Sequence, residues 1–221
     1  MNGDASGRTI VIGDVHGCLD ELQDLLRVLR PAAGDRLISV GDLICKGPDA
    51  RGVLDWARET PNLEVVLGNH ELRFLRHWKK GTRSEEKTYD ADAYRQLGDG
   101  YEDDMRWIAG WPVFVSGRGF VVVHGGFDPA ESLEWQSRAT LTNLRRLPGT
   151  GRPWYESYRD ERLAVFGHWA RRTPVVRDNA IGLDTGCVYG VALTALVLPE
   201  RRLVSVPARR AYRRKEKWDE P

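Results

Sequence analysis

Short motifs that combine glycine with aspartate, asparagine or histidine recur along the chain, and the first three each follow an apolar, β-branched run. The three runs are Thr9–Ile12, Leu37–Val40 and Val65–Leu67, and a helical pattern follows each motif. Alternation of strand, loop and helix predicts parallel strands whose loops lie at one edge of the sheet. Ligand sites of open α/β sheets form at that edge, so we expect the polar side chains of the motifs to converge there.

Four of the five histidines belong to these motifs, and only His77 lies outside them. The motifs are Gly13–Gly17 (GDVHG), Gly41–Asp42, Gly68–Glu71 (GNHE), His124–Gly126 and Gly167–His168. One histidine or one Gly-Asp pair is common in protein interiors and turns. Several such fragments in order, at predicted strand ends, form a far more specific signal. The pattern therefore predicts a metal-centred active site.

Hydrophobic periodicity predicts the other elements. Helices are expected over Asp20–Arg30, with Asp20 as the N-cap and Pro31 as the stop, over Ala50–Glu59 and Glu71–Trp78, and near Gln136–Leu147. Later strands are predicted at Val113–Val115, Phe120–Val123, Leu163–Phe166, Ile181–Leu183, Val191–Leu198 and Leu203–Val206. Their close spacing favours antiparallel hairpins. The predicted fold class is α/β (α+β), a sandwich of mixed β-sheets flanked by helices.

The length of 221 residues and the hydrophobic content of 41% suffice for one sizeable core, so a single domain over residues 1–207 is the simplest organisation. Residues 79–105 are polar and alternate in charge. They predict a partly helical surface insertion, either a lid over the pocket or a solvated helical hairpin. Residues 208–221 form a basic tail, which is typical of a solvated segment and is compatible with RNA contact.

The charge balance excludes a strong global field. Lysine and arginine total 33 against 32 acidic residues, so neither nucleic acid nor a membrane is required as a partner. The first residues show no leader pattern and no run could span a bilayer, so a cytoplasmic enzyme is expected. Cys18, Cys45 and Cys187 have no paired spacing, which predicts reduced thiols rather than disulfides or a zinc knuckle.

The motif residues suit a dinuclear metal centre. Two divalent cations about 3.5–4 Å apart can bind a phosphoryl group and lower the pKa of a bridging water. Asp42 is the candidate bridging carboxylate because it comes from the middle of the constellation, and Asp14 and His16 can chelate one ion. The other candidate ligands are Asn69, His124 and His168. Mixed oxygen and nitrogen donors favour manganese, with iron, zinc or cobalt as alternatives, over calcium.

The ordered motifs GDVHG, GD, GNHE, HGG and GHW resemble those of the phosphoprotein phosphatase superfamily of dinuclear metallophosphoesterases. Protein serine/threonine phosphatases have Val-Asp-Arg-Gly after the second motif, whereas this chain has Ile44–Pro48 (ICKGP). That segment, with Phe166–Trp169 and Leu183–Gly190, resembles the bacterial symmetrical bis(5′-nucleosyl)-tetraphosphatases and the ApaH-like phosphatases. The resemblance extends from about Ile10 to Leu198 and implies the calcineurin-like metallophosphoesterase sandwich.

The resemblance also implies roles for individual residues. One ion would be held by Asp14, His16 and Asp42, and the other by Asp42, Asn69, His124 and His168. His70 matches the general acid that protonates the leaving oxygen, and Cys45 stands where protein phosphatases carry an aspartate that orients this histidine. A thiol cannot supply that charge.

The resemblance also suggests phosphate contacts. Lys46 stands in place of a phosphate-binding arginine, so a point charge replaces the planar guanidinium. Further candidates for phosphate contact are Asn69, Arg73 and Arg138, and Tyr189 is a candidate for the pocket wall.

Two functions follow from this resemblance. The first is hydrolysis of nucleoside polyphosphates, with diadenosine tetraphosphate cut to two ADP; the second is dephosphorylation of phosphoserine, phosphothreonine or phosphotyrosine in proteins. The segment Lys46–Pro48 favours the first, and a shallow pocket would favour the second. A non-catalytic phosphate-binding module is disfavoured because no ligand position is substituted.

The expected partner is a small-molecule nucleotide, without a membrane. Nucleic acid is not required as a partner, although a capped RNA end stays open as a substrate. The sequence does not indicate the oligomeric state. The chain is shorter than expected of the tetraphosphatases, so a missing nucleoside pocket is an alternative.

Overall fold

Two five-stranded sheets pack against each other in the computed structural model, which describes residues 7–218. The strands are β1 (Thr9–Ile12), β2 (Arg36–Ser39), β3 (Leu63–Val65), β4 (Phe114–Gly117), β5 (Phe120–Val123), β6 (Leu163–Phe166), β7 (Val175–Val176), β8 (Ala180–Gly182), β9 (Ala192–Leu198) and β10 (Arg202–Pro207). The strand order is β10-β9-β1-β2-β3 in the first sheet and β4-β5-β6-β8-β7 in the second. The predicted sandwich of mixed sheets is confirmed.

The helices lie outside the sheets. They are α1 (Leu19–Leu29), α2 (Ala50–Glu59), α3 (Asn69–Lys79), α4 (Asp90–Leu97), α5 (Tyr101–Ile108) and α6 (Arg138–Asn143). Short 3₁₀ turns occupy Gly98–Gly100, Leu133–Trp135 and Trp154–Glu156. Within residues 7–218, no helix has the length and apolar character needed to cross a membrane.

Strand direction agrees with the sequence prediction in the first sheet and differs in part of the second. β1, β2 and β3 are parallel, as the strand-loop-helix alternation predicts. β4–β5 and β9–β10 are antiparallel pairs, as expected. β7–β8 is a further antiparallel pair, and the sequence did not predict the strand β7. The prediction of hairpins is wrong for β5, β6 and β8, which run parallel to one another. Long connections between them allow the crossover that parallel strands require.

Helices α1 and α6 also differ from the prediction in their boundaries. α1 begins at Leu19 with Cys18 in the cap position, so Asp20 lies in the first turn instead of capping the helix. There the Asp20 carboxylate accepts a hydrogen bond from the Arg209 side chain at 2.6 Å. α6 spans only six residues of the predicted stretch Gln136–Leu147, because its backbone becomes extended at Leu144. Its N-cap is Ser137, whose side chain accepts from the Thr140 backbone N–H.

The core has a layer between the sheets and a layer on each outer face. Val11, Ile38 and Val40 of the first sheet meet Val122 and Val165 of the second. Aligned packing of two sheets brings the ends of their strands to a common edge. The loops that carry the sequence motifs therefore meet where the two sheets meet.

The polar insertion predicted at residues 79–105 forms α4 and most of α5, and one face of it is buried. Tyr94, Leu97 and Met105 join the hydrophobic cluster of the first sheet and α3. The Tyr94 ring stacks on Phe74 of α3 with ring centroids 4.6 Å apart. The insertion is thus fixed to the core through α3, while a lid motion stays a prediction.

We expect Phe74→Ala to destabilise the protein strongly, because Phe74 is fully buried and links α3 to the insertion. Truncation of a buried phenylalanine to alanine costs about 3–5 kcal/mol. Urea unfolding measures the change, with Val28→Ala as a control, since Val28 is 60% exposed on α1. A loss below 1 kcal/mol for Phe74→Ala would contradict the packing described here.

Candidate metal centre

All candidate metal ligands lie just beyond strand ends. Asp14 and His16 follow β1, Asp42 follows β2, and Asn69 begins α3 after β3. From the second sheet, His124 directly follows β5 and His168 follows β6. Asp14, His16, Asp42 and His124 are each no more than 3% exposed. The structure brings the whole predicted set together, and both sheets contribute to it.

Ring nitrogens and oxygens converge on one carboxylate. Oδ2 of Asp42 lies 3.4 Å from Nε2 of His124 and 3.5 Å from Nε2 of His16. Oδ1 of Asn69 lies 3.0 Å from both Nε2 of His124 and Nδ1 of His168. Two groups of side chains of a kind that binds metals share Asp42, namely His16–Asp42–His70 and Asp42–His124–His168. The shared carboxylate is placed as a bridge would be.

Hydrogen bonds on the outer side of three imidazoles fix which nitrogen faces the centre. Nδ1 of His124 is 2.8 Å from the Val40 carbonyl, Nδ1 of His16 is 3.3 Å from the Ile44 carbonyl, and Nε2 of His168 is 3.2 Å from the Asn143 carbonyl. A carbonyl only accepts, so each outer nitrogen donates. In the neutral ring the inner nitrogen then presents a lone pair, as metal-binding histidines do. The residues present therefore fit a pair of divalent cations.

The backbone around the site has an unusual conformation. His16, Asp42 and His168 have φ angles of 49°, 53° and 68°, in the left-handed region that non-glycine residues rarely adopt. Such conformations persist at functional sites, where the surrounding structure enforces them. Gly167 is required beside them because a Cβ there would lie 2.1 Å from Oδ1 of Asp14. The motif glycines thus allow close approach of backbone and ligand.

Burial places several carboxylates close to one another. Burial, followed by the charge of Asp184, raises the pKa of Asp14 well above its usual value. Burial and then Asp42 raise the pKa of Glu71 to about 7, although Glu71 accepts hydrogen bonds from the backbone N–H groups of Asp42 and Ile44. A cluster of buried carboxylates is stable only with compensating positive charge. Divalent cations would supply it.

The histidines respond to the same field. Burial lowers the pKa of His16 to about 3, helped by the Lys46 ammonium. Burial also opposes the charged form of His124, but Asp42, Asp14 and Glu71 outweigh it and raise the pKa of His124 to about 9. In the metal-free protein a proton on His124 therefore offsets part of the negative charge.

His70 has partners that the sequence did not indicate. Its Nε2 lies 3.8 Å from Oδ2 of Asp42, and its Nδ1 lies 3.2 Å from the Arg73 guanidinium. Arg73 in turn donates to the Asp90 carboxylate at 2.6 Å. Arg73, predicted as a phosphate contact, is 4% exposed and is directed at His70. Asp90 comes from the insertion, where its sequence context is that of a surface acid.

The phosphate-binding candidates occupy different surroundings. The Lys46 ammonium is 2.7 Å from Nε2 of His16 and 5.4 Å from the centre of the Tyr189 ring, so both residues border the centre. Arg138 is exposed at the start of α6, and its contact with phosphate stays a prediction. Sequence reasoning missed Arg145, whose guanidinium donates to the His168 carbonyl at 3.1 Å.

The part of the basic tail that the structure describes packs beside the site; residues 219–221 lie outside the described range. Arg213 donates to the Lys46 carbonyl at 2.8 Å and to the Asp92 carboxylate at 2.6 Å. Ala211 forms a β-bridge with Tyr189, and Lys215 lies 5.2 Å from the centre of the same ring. The tail thus braces the segment that carries Lys46.

Residues 7–191 of this chain match the family model of the calcineurin-like phosphoesterases. The chain belongs to that family. Curated relatives include a symmetrical bis(5′-nucleosyl)-tetraphosphatase of Vibrio parahaemolyticus, 27% identical with 90% of this chain and 98% of the relative covered, and one of Edwardsiella ictaluri, 29% identical with 93% and 98% covered. The first alignment spans 268 positions, more than the 221 residues of this chain, so that relative contains additional segments.

Solved structures agree with the family. The crystal structure of a candidate diadenosine tetraphosphatase is 32% identical, with a TM-score of 0.80 and coverage of 93% of this chain and 95% of that one. A cold-active protein tyrosine phosphatase of a Shewanella species is 18% identical, with a TM-score of 0.58 over 95% and 80% of the two chains. The second likeness shows the fold alone.

We expect Asp42→Asn to weaken metal retention and hydrolysis together, because a neutral amide is a poor bridge between two cations. Loss of a side chain that only supports a metal ligand typically costs about 10–100-fold in metal affinity or activity, so loss of the bridge should cost at least as much. Metal content after manganese loading and the rate of aryl phosphate hydrolysis measure both effects. Asp103→Asn is the control, since that side chain is 81% exposed. Full activity in chelator-treated wild-type protein would contradict a metal centre.

Metal affinity should rise with pH between about 6 and 9, because His124 must lose its proton before it can bind an ion. The same raised pKa gives the metal-free fold a stabilisation that is present below the unfolded pKa of about 6.5 and is lost as pH rises through about 9. Calorimetric manganese titrations across this range measure the affinity. His77→Gln, outside the motifs, should leave the profile unchanged, and a pH-independent affinity would refute the assignment.

Proposed function

We propose that the protein hydrolyses nucleoside polyphosphates at a dinuclear metal centre, with diadenosine tetraphosphate cut to two ADP. The arrangement of the histidine rings supports the proposed metal centre. The inner nitrogens of His16, His124 and His168 face the oxygens of Asp42 and Asn69, and the outer nitrogens of these rings are bonded to carbonyls. A cation held between these nitrogens and oxygens would be bound by all of them at once.

The ligand sets follow from this arrangement. Asp14, His16 and Asp42 would hold one ion; the second would be held by Asp42, Asn69, His124 and His168. Two divalent ions held there would supply a water of lowered pKa and neutralise the phosphoryl oxygens. The donor set of carboxylate, amide and imidazole suits manganese, with iron, zinc and cobalt as alternatives.

The remaining side chains have separate tasks. His70 lies beside the proposed ligand Asn69 and faces Asp42 through Nε2, and its ring would act on the leaving oxygen. The Lys46 ammonium and the nearby Arg145 guanidinium would neutralise phosphates of the substrate. Asp42 fixes the α3 N-terminus, since its Oδ1 accepts from the His70 backbone N–H at 3.1 Å. A cytoplasmic location stays a prediction from the sequence.

The choice of substrate is supported by relatives. Proteins named as symmetrical tetraphosphatases match 90–93% of this chain, and the segment Lys46–Pro48 distinguishes it from protein serine/threonine phosphatases. A capped RNA end has the same polyphosphate chemistry and stays open. Protein dephosphorylation is the alternative that the experiment must exclude.

The products formed from diadenosine tetraphosphate test this proposal. If the tetraphosphate chain binds symmetrically, an inner phosphorus lies at the metal centre and the products are two ADP. If the chain binds by one end, the products are ATP and AMP. Chromatography after incubation with manganese separates these outcomes, beside phosphate release from a phosphopeptide at matched concentration. Efficient phosphopeptide turnover with little or no ADP formed would show that the protein is a protein phosphatase.

Arg213→Ala should weaken the use of diadenosine tetraphosphate more than that of 4-nitrophenyl phosphate, because Arg213 holds the Lys46 backbone in place. Loss of a hydrogen bond to a charged group corresponds to roughly a tenfold change. Steady-state kinetics with both substrates measure the selectivity. Arg214→Ala is the control, since Arg214 is exposed in the same segment. Equal effects of the two substitutions would rule out the bracing role.

A further inference from the structure

A second group of side chains that can bind a metal shares no residue with the proposed dinuclear centre. Its members are Cys18, Glu21 and Cys187, whose two Sγ atoms and one carboxylate oxygen all lie within 4.8 Å of one another. Each of the three residues is no more than 2% exposed, and both cysteines are free thiols. The sequence did not indicate this group, because its cysteines come from opposite ends of the chain.

One oxygen of the Glu21 carboxylate is left without a partner. Oε1 accepts hydrogen bonds from the Arg209 backbone N–H and from the Tyr212 hydroxyl, each at 2.9 Å. Oε2 is buried and has no hydrogen-bond partner among residues 7–218. Leaving a buried carboxylate oxygen unpaired costs free energy, and a cation bound beside it would offset that cost.

The group lies at the N-terminus of α1, where the backbone favours negative charge. Cys18 occupies the cap position and makes no side-chain hydrogen bond to the first turn, while Glu21 belongs to that turn. Free N–H groups at the start of a helix stabilise thiolates and carboxylates. Two thiolates and one carboxylate exceed the charge of one divalent cation, and the helix end lowers the cost of the excess.

We propose that Cys18, Glu21 and Cys187 bind one Zn²⁺ ion in a site separate from the dinuclear centre. Cysteine sulfur and carboxylate oxygen are both zinc ligands, and soft thiolates favour zinc over manganese. Each thiol releases its proton to solvent as its bond to zinc forms. A water molecule would complete the tetrahedron around the ion.

An ion held there would join three segments of the chain. Cys18 lies two residues after the proposed ligand His16, and Cys187 lies in the loop between β8 and β9. Glu21 contacts the C-terminal segment through Tyr212. Zinc binding would therefore stabilise the folded protein and brace the dinuclear centre from outside.

X-ray absorption at the zinc edge tests this inference on the full chain. One equivalent of zinc is added in the presence of excess manganese, which keeps the dinuclear centre occupied. We expect two sulfur neighbours at about 2.3 Å from the zinc. The proposed dinuclear centre contains no sulfur ligand, so zinc bound there would show nitrogen and oxygen neighbours alone, at about 2.0–2.2 Å. A zinc shell without sulfur would overturn the inference.

Substitutions identify the residues that hold the ion. Loss of a residue that only supports a metal ligand costs about 10–100-fold in affinity, so Cys18→Ser and Cys187→Ser should weaken zinc binding at least tenfold. Glu21→Gln keeps both thiols and should also weaken it. Cys45→Ser is the matched control, because Cys45 is likewise buried at 1% exposure but lies outside the group.

Zinc should also raise the unfolding temperature of the wild type and of Cys45→Ser, and leave that of Cys187→Ser unchanged. An equal rise in all three would overturn the inference. Should the serine variants fail to fold, the absorption spectrum of the wild type still decides.

Thiol titration of the unfolded protein, purified without zinc or reductant, distinguishes this site from a disulfide. We expect three free thiols per chain, as in the structure. A single free thiol would show that Cys18 and Cys187 pair with each other, and would overturn the inference. None of these measurements depends on the proposed function, because each reads zinc or sulfur directly and not hydrolysis.

Discussion

The buried carboxylate of Asp42 is the point around which the site is arranged. Imidazoles from both sheets approach its Oδ2 within 3.4–3.8 Å, and Glu71 accepts a hydrogen bond from its backbone N–H. A buried ionised group without compensation costs several kcal/mol, so a chain that places Asp42 among Asp14 and Glu71 requires positive charge there. Metal ions would meet that requirement and would also activate water. The same cations would then serve both the structure and the chemistry of the site.

Peripheral segments support the centre from outside. The insertion packs on Phe74 and delivers Asp90 to the chain that ends at His70. The C-terminal segment delivers Arg213 to the carbonyl of Lys46. Neither segment supplies a proposed metal ligand, yet each determines how a side chain at the centre is held. Differences between such segments can alter substrate choice among family members while the metal ligands stay the same.

Much of the fold and the convergence of the candidate metal ligands could be predicted, because their signals are local. The strand Phe120–Val123 is wholly buried and reads as one apolar run, and its predicted bounds agree with the structure. Strand direction in the second sheet could not be predicted from spacing alone. The residues that hold Arg73 and Lys46 could not be predicted either. Asp90 is 17 residues from Arg73, and Arg213 is 167 residues from Lys46. In the sequence both have the pattern of solvated surface charges.

In the proposed centre, Asp42 would bridge two cations held by residues of both sheets. Anomalous diffraction from manganese-loaded crystals would locate these cations. We expect two manganese peaks about 3.5–4 Å apart with the Asp42 carboxylate between them, one beside Asp14 and His16 and the other beside His124 and His168. A single peak, or two peaks that do not share Asp42, would contradict it.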